Sequence, residues 1–213
     1  MKQRLQDLRK DFVKGELSLD SLAADPIKQL QKWLSEAIAS EEPEPSAMSL
    51  STVAVSGAPR SRMVLLKGVE QEGLVFYTNY NSDKGKELAH KPMAAALLFW
   101  PQLERQIRVE GRVEKVAAAV SDEYFATRPR ESRIGAWASP QSSLIESYDK
   151  LRQAWLEYST KFEDEVIPRP AHWGGYLIRP ESFEFWQGRP GRLHQRFRYR
   201  KEGSLWTIDI LAP

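Results

Sequence analysis

Cysteine is absent from the 213 residues, so neither disulfides nor thiolate metal sites are available, and nothing argues for an oxidising compartment. Histidine is scarce: His90, His172 and His194 lie far apart and form no ligand motif, so no metal is expected. No apolar run approaches the ~20 residues of a membrane span. The opening MKQRLQDLRKDF lacks the apolar centre of a secretory signal, and a cytoplasmic protein without a membrane partner is expected. Glycine-rich phosphate loops are missing too, because SGAPR and QGRPGR lack the spacing of a dinucleotide or P-loop fingerprint. There is no GxSxG elbow, no His, Asp and Ser order that stands out, and no internal repeat. A formal net charge of only +2 does not call for a nucleic-acid partner.

What is present reads as an ordinary globular protein, with 41% apolar and 28% charged residues. A chain of this length can bury roughly 70% of its unfolded surface, so a core without staples is feasible. The spacing predicts a helix over Pro26 to Glu41, with Ile27, Leu30, Trp33, Leu34 and Ile38 on one face, Asp25 as cap and Pro26 in the first turn. EEPEPSA then breaks the pattern and reads as a linker. From Met48 the texture changes to short β-branched and aromatic runs joined by hairpin-length turns, which predicts an antiparallel sheet closed into a barrel. Helical stretches at Ser82 to Lys91, Ala117 to Arg128 and Ser142 to Phe162 interrupt it, and strands resume from GGYLIRP to SLWTIDI. An N-terminal helical segment, 1–46, is expected to pack on a barrel domain, 47–213.

Several clusters can carry chemistry, and each has a plain alternative. If Leu193 to Arg200 is a strand, His194, Arg196, Arg198 and Arg200 share one face, and Leu193, Phe197 and Tyr199 the other. That face is either a solvated edge protected by charge or a wall for an anion or planar ring. In YFATRPRES, Tyr124 and Arg128 share a helical face, and Pro129 opens a segment leading to Ser132. The trio suits a phosphate, or is simply an exposed helix surface. RMVLLK is an apolar strand with a cation at each end, Arg62 and Lys67, which either snorkel or meet an anion. Gln106 alternates with Ile107 and reads alone as a surface residue.

Taken together, RMVLLK, FYTN, LERQIRVEG, YFATRPRESRIGAWAS, QSS, HWGGYLI, FWQG, RLHQRF and the terminal LAP resemble the pyridoxine 5'-phosphate oxidase family, in the same order along essentially the whole chain. The resemblance implies a mostly β fold with flanking helices, an FMN-binding split barrel of Greek-key-like antiparallel form. It also implies a homodimer with FMN between the subunits. The implied reaction is hydride transfer from C4' of pyridoxine or pyridoxamine 5'-phosphate to flavin N5. Dioxygen then reoxidises the flavin and hydrogen peroxide leaves. The flavin carries the redox step, so the protein supplies orientation and charge placement rather than a strong nucleophile.

Position by position, the resemblance sets FMN against Arg62, Met63, Val64, Leu65, Leu66, Lys67, Tyr77, Thr78, Lys84 and Gln106 of one subunit. Gln141, Ser142, Trp186 and Arg196 are implied from the other. The substrate phosphate meets Lys67, Tyr124, Arg128 and Ser132, Arg192 and His194 flank its ring as the catalytic pair, and Arg9 is a further substrate contact. Two departures stand out. Asp83 occupies a place where the family usually has an arginine that contacts the flavin phosphate, and Phe12 stands where a tyrosine often accompanies the N-terminal arginine. Two other readings remain open: a non-catalytic module binding FMN or pyridoxal phosphate, and a flavin reductase with another substrate.

Overall fold

Alternation of side chains builds the sheet. The computed structural model describes residue 8 and residues 11–213, so Arg9 lies outside the described residues. In β5 (Met93–Trp100) every second residue, Ala94, Ala96, Leu98 and Trp100, is buried. In β6 (Arg105–Lys115), Ile107, Val109 and Val113 point inward while Arg108 and Glu110 face out. The same pattern runs through β1 (Ala47–Val53), and β2 (Pro59–Leu65), β3 (Gly68–Glu70), β4 (Gly73–Asn79), β7 (Trp173–Gln187), β8 (Gln195–Glu202) and β9 (Leu205–Leu211) complete the set.

All pairings are antiparallel, in the order β2-β1-β5-β6-β7-β4-β3, with β8 joined to β7 and β9 joined to β8. β7 is the hinge of this topology. Its first part, Trp173 to Ile178, pairs with β4, and its second, Ser182 to Gln187, pairs with β8, while β6 runs along both. The handover coincides with a β-bulge, where the register against β6 shifts between Glu110 and Gly111. A Cβ on Gly111 would stand 2.0 Å from the Arg179 carbonyl oxygen, so only glycine allows this approach. Among the described residues the pairings leave β2, β3 and β9 as ends, giving a curled half-barrel sheet.

The inner face packs Leu50, Phe76, Leu98, Ile107, Phe183 and Phe185 against α1 (Pro26–Ala39), whose Leu30 and Trp33 are buried in the same core. Each such side chain contributes about 1.5–3 kcal/mol through burial. Asp25 caps α1 by accepting from the Ile27 N–H at 2.8 Å, as the sequence predicts. Ile38 is 60% exposed instead of buried, because the buried stripe follows Ile27, Leu30, Trp33 and Ala37 and passes it by. EEPEPSA is not a free linker: the buried Glu42 carboxylate accepts from the Leu103 N–H at 2.8 Å, and Trp100 Nε1 donates to the Pro45 carbonyl at 3.0 Å.

The other helices are α2 (Asp83–His90), α3 (Ala118–Thr127), α4 (Arg130–Ala138) and α5 (Tyr148–Lys161). The segment that Pro129 opens is helical, with Pro129 at the N-cap of α4, and α5 begins at Tyr148, later than the expected Ser142, under a Ser147 cap. A smaller core of Phe125, Ile134, Phe162, Ile167 and Trp173 joins α3, α4 and the end of α5 to the start of β7.

Candidate active site

A cavity of about 470 Å³ opens between β2, β4 and the α3–α4 corner. Met63, Val64, Leu65 and Lys67 come from β2 and its end, Tyr77 and Thr78 from β4, and Lys84 from α2. Tyr124, Arg128 and Ser132 close the far side, because the chain turns at Pro129 and brings the end of α3 beside the start of α4. Tyr77 and Tyr124 stack with centroids 3.9 Å apart, and Trp173 adds a third nearly parallel ring 5.5 Å from Tyr77.

Arg128 lies over Trp173, its guanidinium carbon 4.5 Å from the ring centroid. Burial pulls its pKa below the usual value, partly opposed by Tyr124. Its buried Nη1 finds no hydrogen-bond acceptor among the described residues. Leaving such a donor unsatisfied costs about 1–3 kcal/mol or more, and an anion in the cavity would remove that cost. Lys84 is a second cation at the cavity, and its side chain is buried. Its Nζ donates to Thr78 Oγ1 at 3.2 Å, Ser82 Oγ at 3.4 Å and Gln141 Oε1 at 3.4 Å, all neutral. Burial first, and then the charge of Arg62, depress its pKa.

A second cluster lies at the far end of β7. Trp186 and His194 sit 4.7 Å apart by centroid, and a recess of about 580 Å³ beside them is lined by Phe12, Arg189, Arg192 and His194. Arg192 ends a 3-10 turn (Pro190–Arg192) with φ 61°, so β8 starts at Gln195, two residues after the expected Leu193. His194 Nδ1 accepts from the Arg189 N–H at 3.1 Å, which leaves Nε2 as the protonated nitrogen of the neutral ring. Burial and then the Arg192 charge hold its pKa below 6.5.

The structure regroups the expected flavin contacts. Gln141, expected from the partner, touches Thr78 and Lys84 of its own chain, with Thr78 Oγ1 donating to its Oε1 at 3.2 Å. Gln106, expected beside Lys84, instead shares a sheet rung with Trp186, which is paired in turn with Arg196. Leu66 is buried in the core, and Ser142, at φ 68° in the turn before α5, does not line the cavity. Arg62 also stands outside the lining. It donates to Thr52 Oγ1 and pairs with Glu87 at 2.9 Å. Burial alone would raise the Glu87 pKa, but hydrogen bonds from Thr52 and Arg62, with the nearby arginine charges, hold it below the usual value. Asp83 faces a separate recess, 3.4 Å from Arg60.

The expected cationic wall of β8 is neutralised from its neighbours. Arg196 pairs with Glu184 of β7 at 2.9 Å, while Arg198 and Arg200 pair with Asp209 of β9 at 2.9 and 2.8 Å. Those arginines, Arg200 foremost, pull the Asp209 pKa down to about 2. Asn79, Gly135, Ala136, Ser139 and Trp173 also line the first cavity without having been expected there. On the outer face of the sheet, Met63 and Phe99 are 64% and 52% exposed. No helix among the described residues is long and apolar enough to cross a membrane.

Comparison with known proteins gives these features a setting. A family model described as pyridoxamine 5'-phosphate oxidase matches residues 34–161, and one described as the pyridoxine 5'-phosphate oxidase C-terminal dimerisation region matches 173–213. The pyridoxine/pyridoxamine 5'-phosphate oxidase of Actinobacillus succinogenes is 53% identical over 98% of this chain and 99% of its own. The protein of that name from Salinibacter ruber is 49% identical over 99% of both. Among solved structures, PhzG of Burkholderia lata, in complex with tetrahydrophenazine-1-carboxylic acid, is similar with a TM-score of 0.87 and 30% identity, covering 91% of this chain and 95% of its own. Family models that divide the chain at β7, and relatives about half identical along nearly all of it, lead to one conclusion: the chain belongs to the pyridoxamine 5'-phosphate oxidase family.

Proposed function

We propose that this protein oxidises pyridoxine 5'-phosphate and pyridoxamine 5'-phosphate to pyridoxal 5'-phosphate, using FMN and dioxygen and releasing hydrogen peroxide, with ammonia from the amine. The observation that carries the reading is Arg128, half-buried in the wall of a cavity shared with Tyr124, Ser132 and Lys67, whose Nη1 finds no hydrogen-bond acceptor among the described residues. A phosphate monoester supplies the acceptor oxygens that this group lacks. The relatives' shared name, pyridoxine/pyridoxamine 5'-phosphate oxidase, supports the same substrate class.

FMN fits the donor set. Lys84, Thr78 and Gln141 offer a cation and neutral polar groups for its phosphate, and Met63, Val64 and Leu65 offer an apolar strand edge for its ring. When bound, FMN supplies the two-electron acceptor that no side chain here can provide. Arg62 serves this site from behind, since its charge is committed to Glu87. In this reading Tyr124, Arg128, Ser132 and Lys67 hold the substrate phosphate. Arg192 and His194 orient the pyridine ring, with neutral His194 offering its Nε2–H as a donor. Arg9 is retained as a candidate substrate contact.

A dimer is supported by the matched C-terminal dimerisation region, 173–213, which begins with β7. The strand is 15 residues long, on the order of 45 Å at about 3.3 Å per residue before its bend. Trp173 at its start belongs to the phosphate-holding cavity, and Trp186 near its end belongs to the ring-facing cluster. In our reading a homodimer therefore builds each site from both copies, with Gln106, Trp186, Arg192, His194 and Arg196 crossing to the partner's FMN. Exposed Met63 and Phe99 give that contact apolar area. The division into a packing segment, 1–46, and a barrel, 47–213, and a cytoplasmic location belong to the same proposal.

The test is aerobic turnover of pyridoxine 5'-phosphate with and without added FMN, following pyridoxal 5'-phosphate and peroxide together. Equal amounts of both products support the oxidase. Neither product from either vitamer phosphate at saturating FMN overturns it, leaving the binding-module and reductase readings.

A further inference from the structure

The segment before α1 is held down by a device that the proposed chemistry does not use. Glu104 is fully buried between β5 and β6 and adopts φ 55°, a backbone region unusual for a residue with a side chain. Its carboxylate Oε2 accepts two successive backbone N–H groups, from Val13 at 2.7 Å and Lys14 at 2.9 Å. Its carbonyl accepts from the Gly188 N–H at 2.8 Å and from Gln187 Nε2 at 3.3 Å, tying the same residue to the end of β7. Two further bonds fasten the strap: Arg189 Nη1 to the Gly15 carbonyl at 2.6 Å, and the Leu17 N–H to Gln195 Oε1 at 2.7 Å.

The strap delivers one side chain to the ring-facing cluster. Phe12 stands edge-on to Trp186 at 5.5 Å and to His194 at 5.6 Å, and it packs so closely on Gly188 that a Cβ there would come within 2.7 Å of it. A buried acid at a strained position, spending one oxygen on two adjacent amides, is an anchor for backbone placement.

We propose that Glu104 is a positioning residue: through the backbone of Val13 and Lys14 it seats Phe12 against His194 and Trp186, and so sets the shape of the ring-binding recess. This rests on the reading above, in which that recess meets the substrate ring. Glu104→Gln keeps size and removes the charge. In the FMN-loaded protein, hydrogen exchange at the Val13 and Lys14 amides rises about tenfold or more, while amides of β6 and β7 are unchanged. KM for pyridoxine 5'-phosphate rises about tenfold with kcat kept within about threefold. Phe12→Ala gives a similar KM, and the double variant is no worse than either single one, as expected when one residue acts through the other.

Unchanged exchange at Val13 and Lys14 overturns the anchor. Faster exchange with an unchanged KM, or KM effects that multiply in the double variant, overturns the positioning role. If Glu104→Gln does not fold, Val13→Pro removes one donor from the strap side. The same rise in KM and in Lys14 exchange is then required. Failure of the oxidase reading is seen separately, as absence of turnover by the unsubstituted protein, and leaves the exchange result to judge the anchor.

Discussion

Arg128→Met should weaken substrate binding without weakening the fold. In the ligand-free protein the substitution removes a buried N–H that lacks an acceptor, a relief of about 1–3 kcal/mol. It forfeits the guanidinium stack on Trp173, about 0.5–2 kcal/mol. Methionine keeps most of the packing of the stem. The balance centres on slight stabilisation of about 1 kcal/mol, or roughly 2–4 °C in Tm for a chain of this size. In the complex, the loss of a charge-assisted bond to phosphate amounts to about 1.5–3 kcal/mol, so KM should rise about 10- to 150-fold. The phosphate is remote from the reacting C4', and its contact is made equally before and during the reaction, so kcat should be nearly kept. Calorimetry of the ligand-free protein and steady-state kinetics with pyridoxine 5'-phosphate measure the two halves. A Tm more than about 4 °C lower, with KM unchanged, would show that Arg128 is a structural residue and refute the reasoning.

Gly135 sits in α4 at the cavity wall, and a Cβ there meets no protein atom within 4 Å. Gly135→Ala should therefore raise the ligand-free stability by about 1 kcal/mol, yet place a methyl group in space a ligand needs; a raised Tm with unaltered FMN and substrate affinities would remove Gly135 from the site. The folded pKa of His194 lies below 6.5, so the unfolded chain takes up the proton first, and this contribution to stability is present above that value and lost as pH falls below it. His194→Gln should flatten the decline in denaturation midpoint between pH 7 and pH 5, and an identical slope in both proteins would count against a neutral ring at His194. Asp83 is half exposed and paired with Arg60, so Asp83→Arg reverses a screened charge near the start of α2 and should tighten FMN binding by about fivefold. A fluorescence titration that finds equal or weaker affinity contradicts this.

Period-2 patterning made most strands legible, because inward positions such as Ile107, Val109, Phe197 and Tyr199 must be apolar whatever lies outside. The Asp25 cap was readable for the same local reason. What escaped was set by distant pairing. Only Glu202, which pairs with Arg200 at 3.4 Å, is acidic near Arg196, Arg198 and Arg200 in sequence, and their other partners Glu184 and Asp209 arrive through sheet register. The surroundings of Gln106 and Gln141 have the same cause, since β6 sets one beside Trp186 and the turn before α5 carries the other to Lys84. Arg62 was legible as a cation at the end of a strand, but its commitment to Glu87 depends on how α2 packs on β1 and β2. α4 was hidden because Pro129 reads as a breaker, although proline equally suits the start of a helix.

The length of β7 has a consequence for how this protein behaves in dilute solution. If each catalytic centre draws on both ends of that strand from two copies, an isolated copy holds only unmatched halves. Turnover per mole of chain then falls as the protein is diluted past its dimer dissociation constant, however much FMN is supplied. On that reading, mixing two variants impaired at low substrate, one altered at Arg128 and one at His194, and letting them exchange subunits should restore a fraction of centres that carry neither lesion. Abundance itself becomes, on the same reading, a control on the catalyst.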